Sequence, residues 1–280
     1  MPSCVVCESK LIQQVWRSSD YRILACRKCG LEFADPMKSA GSEWYSTSAL
    51  YEEAKLVIPH RWEWEQFRLV RPPGKTLLDI GCGRGDFALQ AFDLGYRVCG
   101  IDLQARMVNV ARQRLPTANF QVLNIQTEPL PRPFDIITAF EIIEHLECSL
   151  DALMSIRAAL EPGGHLVLSV PCIERRPFFK RLAVIDFPPH HLTMWTREAI
   201  TLLLRTAGFR VVHLVKKGFE LGDFQLLLED AFSLENRRVR RLAELSCRML
   251  EPVLRRWPGA GGCTIFAVAA RTSAIPPSPS

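Results

Sequence analysis

The sequence predicts an α/β protein, a parallel sheet with helices on both faces, preceded by a small cysteine-rich module. Two observations carry that prediction. From Thr76 onward, short apolar β-rich segments alternate strictly with helical ones, and Gly, Asp and Pro bound the strands, the pattern of strands buried on both faces and joined by crossover helices. Ahead of that alternation, four of the ten cysteines stand as two C-x-x-C pairs. With 280 residues, 48% apolar and 23% charged, the chain has enough apolar material for a core of this kind.

Residues 1–36 form the cysteine module. Cys4 with Cys7 and Cys26 with Cys29 each place two thiolates on a tight turn. Gly30 relieves the second turn, and the 18 residues between the pairs, carrying Trp16, Tyr21 and Ile23, suffice for a hairpin. Four thiolates on one tetrahedral ion leave no open position, so the expected metal is a structural zinc. Two copies of the pair, neither opening a helix after a strand, argue against a redox C-x-x-C. Residues 37–73 are aromatic and charged and read as one or two connecting helices broken at Pro59.

Residues 74–270 hold the alternation. Its strands are TLLDIG, YRVCGID, NFQVL, FDIITAF, HLVLSV, FRVVHLVK and CTIFAVAA; its helices are DFALQAFDLG, QARMVNVARQRL, SLDALMSIRAALEPGG and TREAITLLLRTAG. The pattern pauses at 218–262, a helical insertion in which Val239, Leu242, Leu245, Met249, Val253 and Trp257 recur at helical spacing. Between Arg237 and Trp257, seven arginines oppose two glutamates, a basic face open to solvent, an anionic substrate or peripheral contact with an acidic membrane. Residues 271–280, ending IPPSPS, read as a disordered tail.

Charge and hydropathy narrow the function classes. The net charge of +5, from 35 basic and 30 acidic side chains, is too small for a dedicated nucleic-acid binder. The longest apolar run, near CTIFAVAA, falls short of the ~18 residues a membrane span needs, and no apolar segment follows a basic start. A cytoplasmic protein with reduced thiols is expected.

The chemistry begins at LLDIGCGRGDF, where a buried strand leads through Asp79 into Gly81, Gly83 and Gly85 just before a helix. Glycines let backbone approach a ligand closely, and the helix start offers unpaired N–H groups. A fixed carboxylate in that turn would repel a pyrophosphate but suits a cationic ligand. Asp102 closes the second strand of the alternation, where it can accept hydrogen bonds from a ribose diol. A positively charged nucleoside fits both carboxylates.

These motifs, with CGIDL, FDIITAFEIIEHL, LEPGGHLVLSVP and HHLTMWTREAI followed by AGF, resemble the class I S-adenosylmethionine-dependent methyltransferases from roughly Lys75 to Lys217. The resemblance implies a Rossmann-like seven-stranded sheet whose last strand, CTIFAVAA, runs antiparallel. It implies that Asp79, Gly81, Cys82 and Gly83 cradle the methionine part of S-adenosylmethionine, and that Asp102 and Leu103 hold its ribose and adenine. Phe140 with Glu141 would form the floor under the sulfonium, and Asn124 stands where an acidic residue often meets the adenine amino group. The double C-x-x-C followed by CGLEFADP is similar to the zinc ribbon found ahead of such domains in some bacterial methyltransferases, including sugar C-methyltransferases.

FEIIEHL offers a second constellation. On a helical turn Glu141, Glu144 and His145 would share one face, just past a strand end, and could hold magnesium or another divalent cation. A similar E-x-x-E-H occurs in ubiquinone-pathway O-methyltransferases and in small-RNA 3′-terminal 2′-O-methyltransferases. Alternatively Glu141 contacts the cofactor while Glu144 and His145 shape the pocket. His190 or His191, on the same edge, would complete the metal site, act as general base, or fix its own loop. Adjacent histidines usually diverge, so at most one of the two is expected to face the acceptor.

The expected activity is methyl transfer to a small-molecule acceptor, foremost a hydroxyl oxygen. A sugar or other carbon acceptor, an RNA 2′-hydroxyl and a non-catalytic cofactor-binding adaptor are the alternatives.

Overall fold

The computed structural model describes residues 2–39, 41, 44, 61–131, 133–173, 186–217 and 264–273. Most of the connector, the insertion at 218–262 and the tail from 274 lie outside the described residues.

The N-terminal module is an antiparallel meander of β1 (Ile12–Arg17), β2 (Arg22–Cys26) and β3 (Glu32–Asp35). Helix α1 (Trp62–Val70) falls in the connecting region and leads into β4 (Thr76–Ile80). Then come α2 (Asp86–Asp93), β5 (Arg97–Asp102), α3 (Ala105–Arg114), β6 (Asn119–Val122) and β7 (Phe134–Phe140). A short 3₁₀ turn at Ile143–His145 precedes α4 (Ser149–Ala159) and β8 (Leu160–Pro171). The two-residue β9 (Thr193–Met194), α5 (Arg197–Thr206), β10 (Phe209–Lys216) and β11 (Thr264–Arg271) complete the described elements.

Seven strands form one sheet in the order β10-β11-β8-β7-β4-β5-β6. The pairs among β4, β5, β6, β7 and β8 are parallel, and β11 lies antiparallel between β8 and β10, as the resemblance implied. Side chains alternate between the two faces with the period of 2 that a strand imposes. Leu78, Ile137, Leu166, Leu168 and Ile265 meet α4 and α5 on one face. Leu77, Ile136, Val167 and Phe266 meet α1, α2 and α3 on the other. At the amino ends, one oxygen of Asp135 on β7 accepts from Lys75 N (2.7 Å), Thr76 N (2.9 Å) and Thr76 Oγ1 (2.9 Å), which fixes the register of β7 against β4. These bonds hold its carboxyl below the usual range.

The module is not a separate bead. Its sheet takes a fourth strand, β9, from the far end of the chain, paired antiparallel with β3. Leu24, Leu31 and Phe33 pack in the same core as α4 and α5. Among the described residues no helix is long and apolar enough to cross a membrane.

Helix α1 docks through Phe67, fully buried edge-to-face against Phe87 (5.0 Å) and Tyr96 (5.8 Å). Phe67→Ala should destabilise the protein by ~3–5 kcal/mol, the cost of a large buried cavity; a smaller shift in urea denaturation would show that α1 is a loosely attached connector.

Candidate active site

Consecutive strands diverge from β4, with β5 on one side and β7 on the other, so a crevice opens at its carboxyl end. Asp79 is the penultimate residue of β4 rather than part of the turn. It is buried, and its Oδ1 accepts from Thr138 Oγ1 on β7 at 2.7 Å. Burial pushes its carboxyl up to about 7; the Thr138 bond lowers it, nearby Asp102 raises it, and the Arg61 guanidinium lowers it. Asp102 ends β5, accepting from Gly83 N at 2.9 Å and Gln104 N at 2.8 Å, and burial raises its carboxyl too.

Gly83 sits between them at φ +51, with nothing within 4 Å of where a side chain would start. That opening over a left-handed backbone is room for a ligand to lie against the chain. The Cys82 thiol is buried and pushed far up by burial, Asp79 and Asp102, so it stays protonated and is no nucleophile. Leu103 is exposed beside Asp102. Asn124, past β6, accepts from Gln126 N at 3.0 Å, while its own N–H donates to Glu128 Oε1 at 2.9 Å. Phe140 turns its ring into the core against Phe87 (4.8 Å), leaving Glu141 at the end of β7.

The E-x-x-E-H segment is not one helical turn. Glu141 has φ +55 and its Oε1 accepts from Ser169 Oγ at 3.0 Å, and the 3₁₀ turn begins only at Ile143. The single-face geometry expected of Glu141, Glu144 and His145 therefore does not hold. Glu144 and His145 turn toward the loop carrying His190 and His191, and here both histidines arrive together. The loop folds so that His190 N and His191 N both donate to Phe187 O, at 3.1 and 3.3 Å, and their rings stack at 4.6 Å. The donor atoms of His145, His190 and His191 lie within 4.8 Å of one another.

A hydrogen bond sets the orientation of the His145 ring. His145 Nδ1 donates to the His190 carbonyl at 2.8 Å, which leaves the lone pair on Nε2, 3.8 Å from Glu144 Oε1. His191 Nε2 lies 4.0 Å from the same oxygen, and its Nδ1 lies 3.4 Å from Asp186 Oδ1. Burial, together with His191 and His190, holds His145 well below its ordinary pKa, so it is neutral at pH 7. Three imidazoles at this spacing suit a divalent ion, whose ~2.0–2.2 Å bonds would draw them somewhat closer, and Glu144 Oε1 stands beside two of them.

The cysteine tetrad also converges. All four sulfurs lie within 4.8 Å, with Cys4–Cys29 at 3.6 Å and Cys7–Cys26 at 3.4 Å. Four thiolates 2.3 Å from one tetrahedral ion would be ~3.8 Å apart, close to the Cys4–Cys29 and Cys7–Cys26 separations, so the set suits zinc. The Cys4–Cys29 contact lowers the Cys4 thiol and raises that of Cys29, so this pair gives up its first proton more readily than its second.

Sequence reasoning passed over two charged groups. Arg61, just ahead of α1, acts on Asp79 and pairs with Glu63; its distance from the glycine turn in sequence gave no signal. Asp186 was findable as the acid just before the P-P-H-H run.

Comparison with known proteins decides the family. The methyltransferase domain profile matches residues 61–214, more than half of the chain. The protein belongs to this methyltransferase family. Its fold and motifs make it a class I S-adenosylmethionine-dependent member. It is similar to a ubiquinone biosynthesis O-methyltransferase of Albidiferax ferrireducens, 29% identical over 54% of this chain and 64% of that one. Another so named, from Xanthomonas campestris pv. campestris, is 31% identical over 62% of this chain and 82% of that one. The chain thus spans just under two thirds of the first relative. In fold, the methyltransferase resembles the Haemonchus contortus phosphoethanolamine N-methyltransferase 2 complex with S-adenosyl-L-methionine. The TM-score is 0.60 at 17% identity, over 93% of this chain and 71% of that one.

Asp79 has a measurable consequence. With its folded pKa near 7 and its ordinary value at 3.8, the ligand-free folded state binds more protons than the unfolded state between those pH values. Its contribution to stability therefore falls as pH rises from about 4 to 7 and is flat above. Asp79→Asn should remove that slope in pH-dependent urea titrations; an unaltered slope would mean that Asp79 ionises normally.

Proposed function

We propose that the methyltransferase moves a methyl group from S-adenosylmethionine to a hydroxyl oxygen of a small molecule, a phenol foremost, and that Glu144, His145, His190 and His191 form its acceptor site. The observation that carries this is the convergence of His145 Nε2 and His191 Nε2 on Glu144 Oε1 at the strand end next to the Asp79 crevice. The names of the ubiquinone-pathway relatives support oxygen as the acceptor atom.

S-adenosylmethionine supplies an electrophilic methyl on a sulfonium, with the leaving group built in. The chain's own groups bind and orient it. Asp79 accepts from the cofactor's ammonium, and Arg61, close enough to act on Asp79, takes its carboxylate. Gly81, Cys82 and Gly83 pass under its amino-acid end, Asp102 accepts from the ribose, Leu103 and Asn124 border the adenine, and Glu141 borders the sulfonium. Orientation of this kind can lower a barrier by ~7–11 kcal/mol.

What remains is the acceptor proton. A phenol has a pKa near 10 in water and is a poor nucleophile at neutral pH. A divalent cation held by Glu144, His145 and one or both loop histidines, with Glu141 adding charge, would act as a Lewis acid on that oxygen. Imidazole-rich donors suit zinc or a similar ion better than magnesium. Without a cation, neutral His145 presents a lone pair on Nε2 and serves as general base. The cysteine tetrad would hold a structural zinc.

Turnover of labelled cofactor against phenols, nucleotide sugars and short RNAs, with and without chelator, tests the assignment. Phenols should be methylated and chelator should suppress the reaction; turnover of RNA alone would overturn it, and indifference to chelator would leave the histidine base. Glu144→Gln should cut turnover about 10- to 100-fold with cofactor affinity nearly unchanged. Equal losses in both would move Glu144 to the cofactor pocket. Near pH 6, cofactor binding should release a proton as Asp79 ionises, seen as buffer-dependent calorimetric heat and absent in Asp79→Asn.

A further inference from the structure

The segment 192–196 is anchored both to the cysteine module and to the methyltransferase domain. On one edge Ala34 N donates to Leu192 O at 2.7 Å, and β3 pairs with β9. On the other edge, at the carboxyl end of β8, Trp195 N donates to Pro171 O at 3.1 Å and Ile173 N to Trp195 O at 3.0 Å. At its start, directly after His190 and His191, Leu192 N donates to Glu144 O at 2.8 Å. At its end, Thr196 Oγ1 donates to Cys29 O at 2.6 Å and accepts from Ala199 N at 3.1 Å. One hydroxyl thus joins the second cysteine turn to the N-cap of α5.

The contact around Thr196 is close. A Cβ on Gly30 would lie 2.7 Å from Thr196 Cγ2, and Gly30 holds φ +75. Glycine is required there both by its backbone and by its neighbour. Trp16 of β1 adds a ring contact to Phe187, at 4.6 Å, on the far side of the histidine pair.

We propose that the cysteine module is a positioning element of the acceptor site. It holds 192–196 in register and through that segment sets His190 and His191 against Glu144 and His145, with Thr196 as the positioning residue that ties the cysteine turn to the segment. This rests on the histidine cluster being the acceptor site. The physical basis is the two-sided hydrogen bonding: released from β3 and Cys29, the segment loses its module edge and, among the described residues, keeps its bonds to β8, Glu144 and the start of α5. The loop histidines could then shift by an ångström, a displacement that can cost about 100-fold in rate. The cofactor groups on β4 and β5 make none of these contacts, so cofactor affinity should be spared.

Thr196 is tested in the full-length protein. Thr196→Asp retains an N-cap acceptor for α5 but cannot donate to Cys29 O; Thr196→Ser retains both functions. The readouts are hydrogen exchange over 190–196, cofactor affinity by calorimetry, and methyl transfer to a phenol. Thr196→Asp should speed exchange and lower kcat, each about 10- to 100-fold, with cofactor affinity unchanged, and Thr196→Ser should behave as wild type. Cys29→Ser should give the same exchange signature with loss of bound zinc. Wild-type exchange and kcat in both Thr196→Asp and Cys29→Ser would overturn the proposal. If exchange rises as expected while wild type itself methylates no phenol, the acceptor reading fails and the positioning role stands.

Discussion

Where neighbouring parallel strands send their connections to opposite faces, the backbone cannot close over the sheet, and the carboxyl end of the strand between them stays open to ligands. In this chain that strand is β4. Its side of the crevice holds two carboxylates that water cannot fully solvate, Asp79 against Thr138 and Asp102 against the Gly83 amide. Each is raised by burial, and a cation arriving in the crevice relieves the cost of ionising them. The preference for a positively charged nucleoside thus follows from topology and desolvation together.

The neighbouring strand end works by a different physics. Glu144 is fully buried, and beside its Oε1 stand two imidazoles, of His145 at 3.8 Å and His191 at 4.0 Å, which can be neutral, cationic or metal-bound without changing shape. The His190 carbonyl fixes one ring and Asp186 stands beside another. Two polar centres on adjacent strand ends, one drawing a cation and the other able to strip or share a proton, are what the proposed transfer between a sulfonium and a hydroxyl requires.

The strands of the large sheet were legible because burial on both faces leaves continuous apolar runs, such as FDIITAF and HLVLSV, punctuated by Gly, Asp and Pro. Paired cysteine spacing likewise announced the tetrad. β9 was not legible: two residues have no period, and its partner β3 is remote in sequence. The geometry of E-x-x-E-H was misjudged because helical spacing was assumed where the chain turns off β7 through a left-handed Glu141. The divergence expected of adjacent histidines is a property of extended chain, and the turn at Phe187 removes it by gathering both amides on one carbonyl. Asp79 belongs to the strand read as TLLDIG and not to the turn, since β4 runs on to Ile80.

The pairing of β3 with β9 also bears on how the chain assembles during synthesis. The meander β1-β2-β3 involves only local contacts and both cysteine pairs, so it can close soon after it leaves the ribosome. Its bond from Thr196 to Cys29 spans 167 residues, and contacts of such separation form late. Until then the open edge of β3 is an unpaired strand, exposed to whatever else can add to it. A nascent chain stalled before β9 would have both cysteine pairs gathered and yet be prone to self-association, which makes the interval between β3 and β9 the vulnerable stage of its biogenesis.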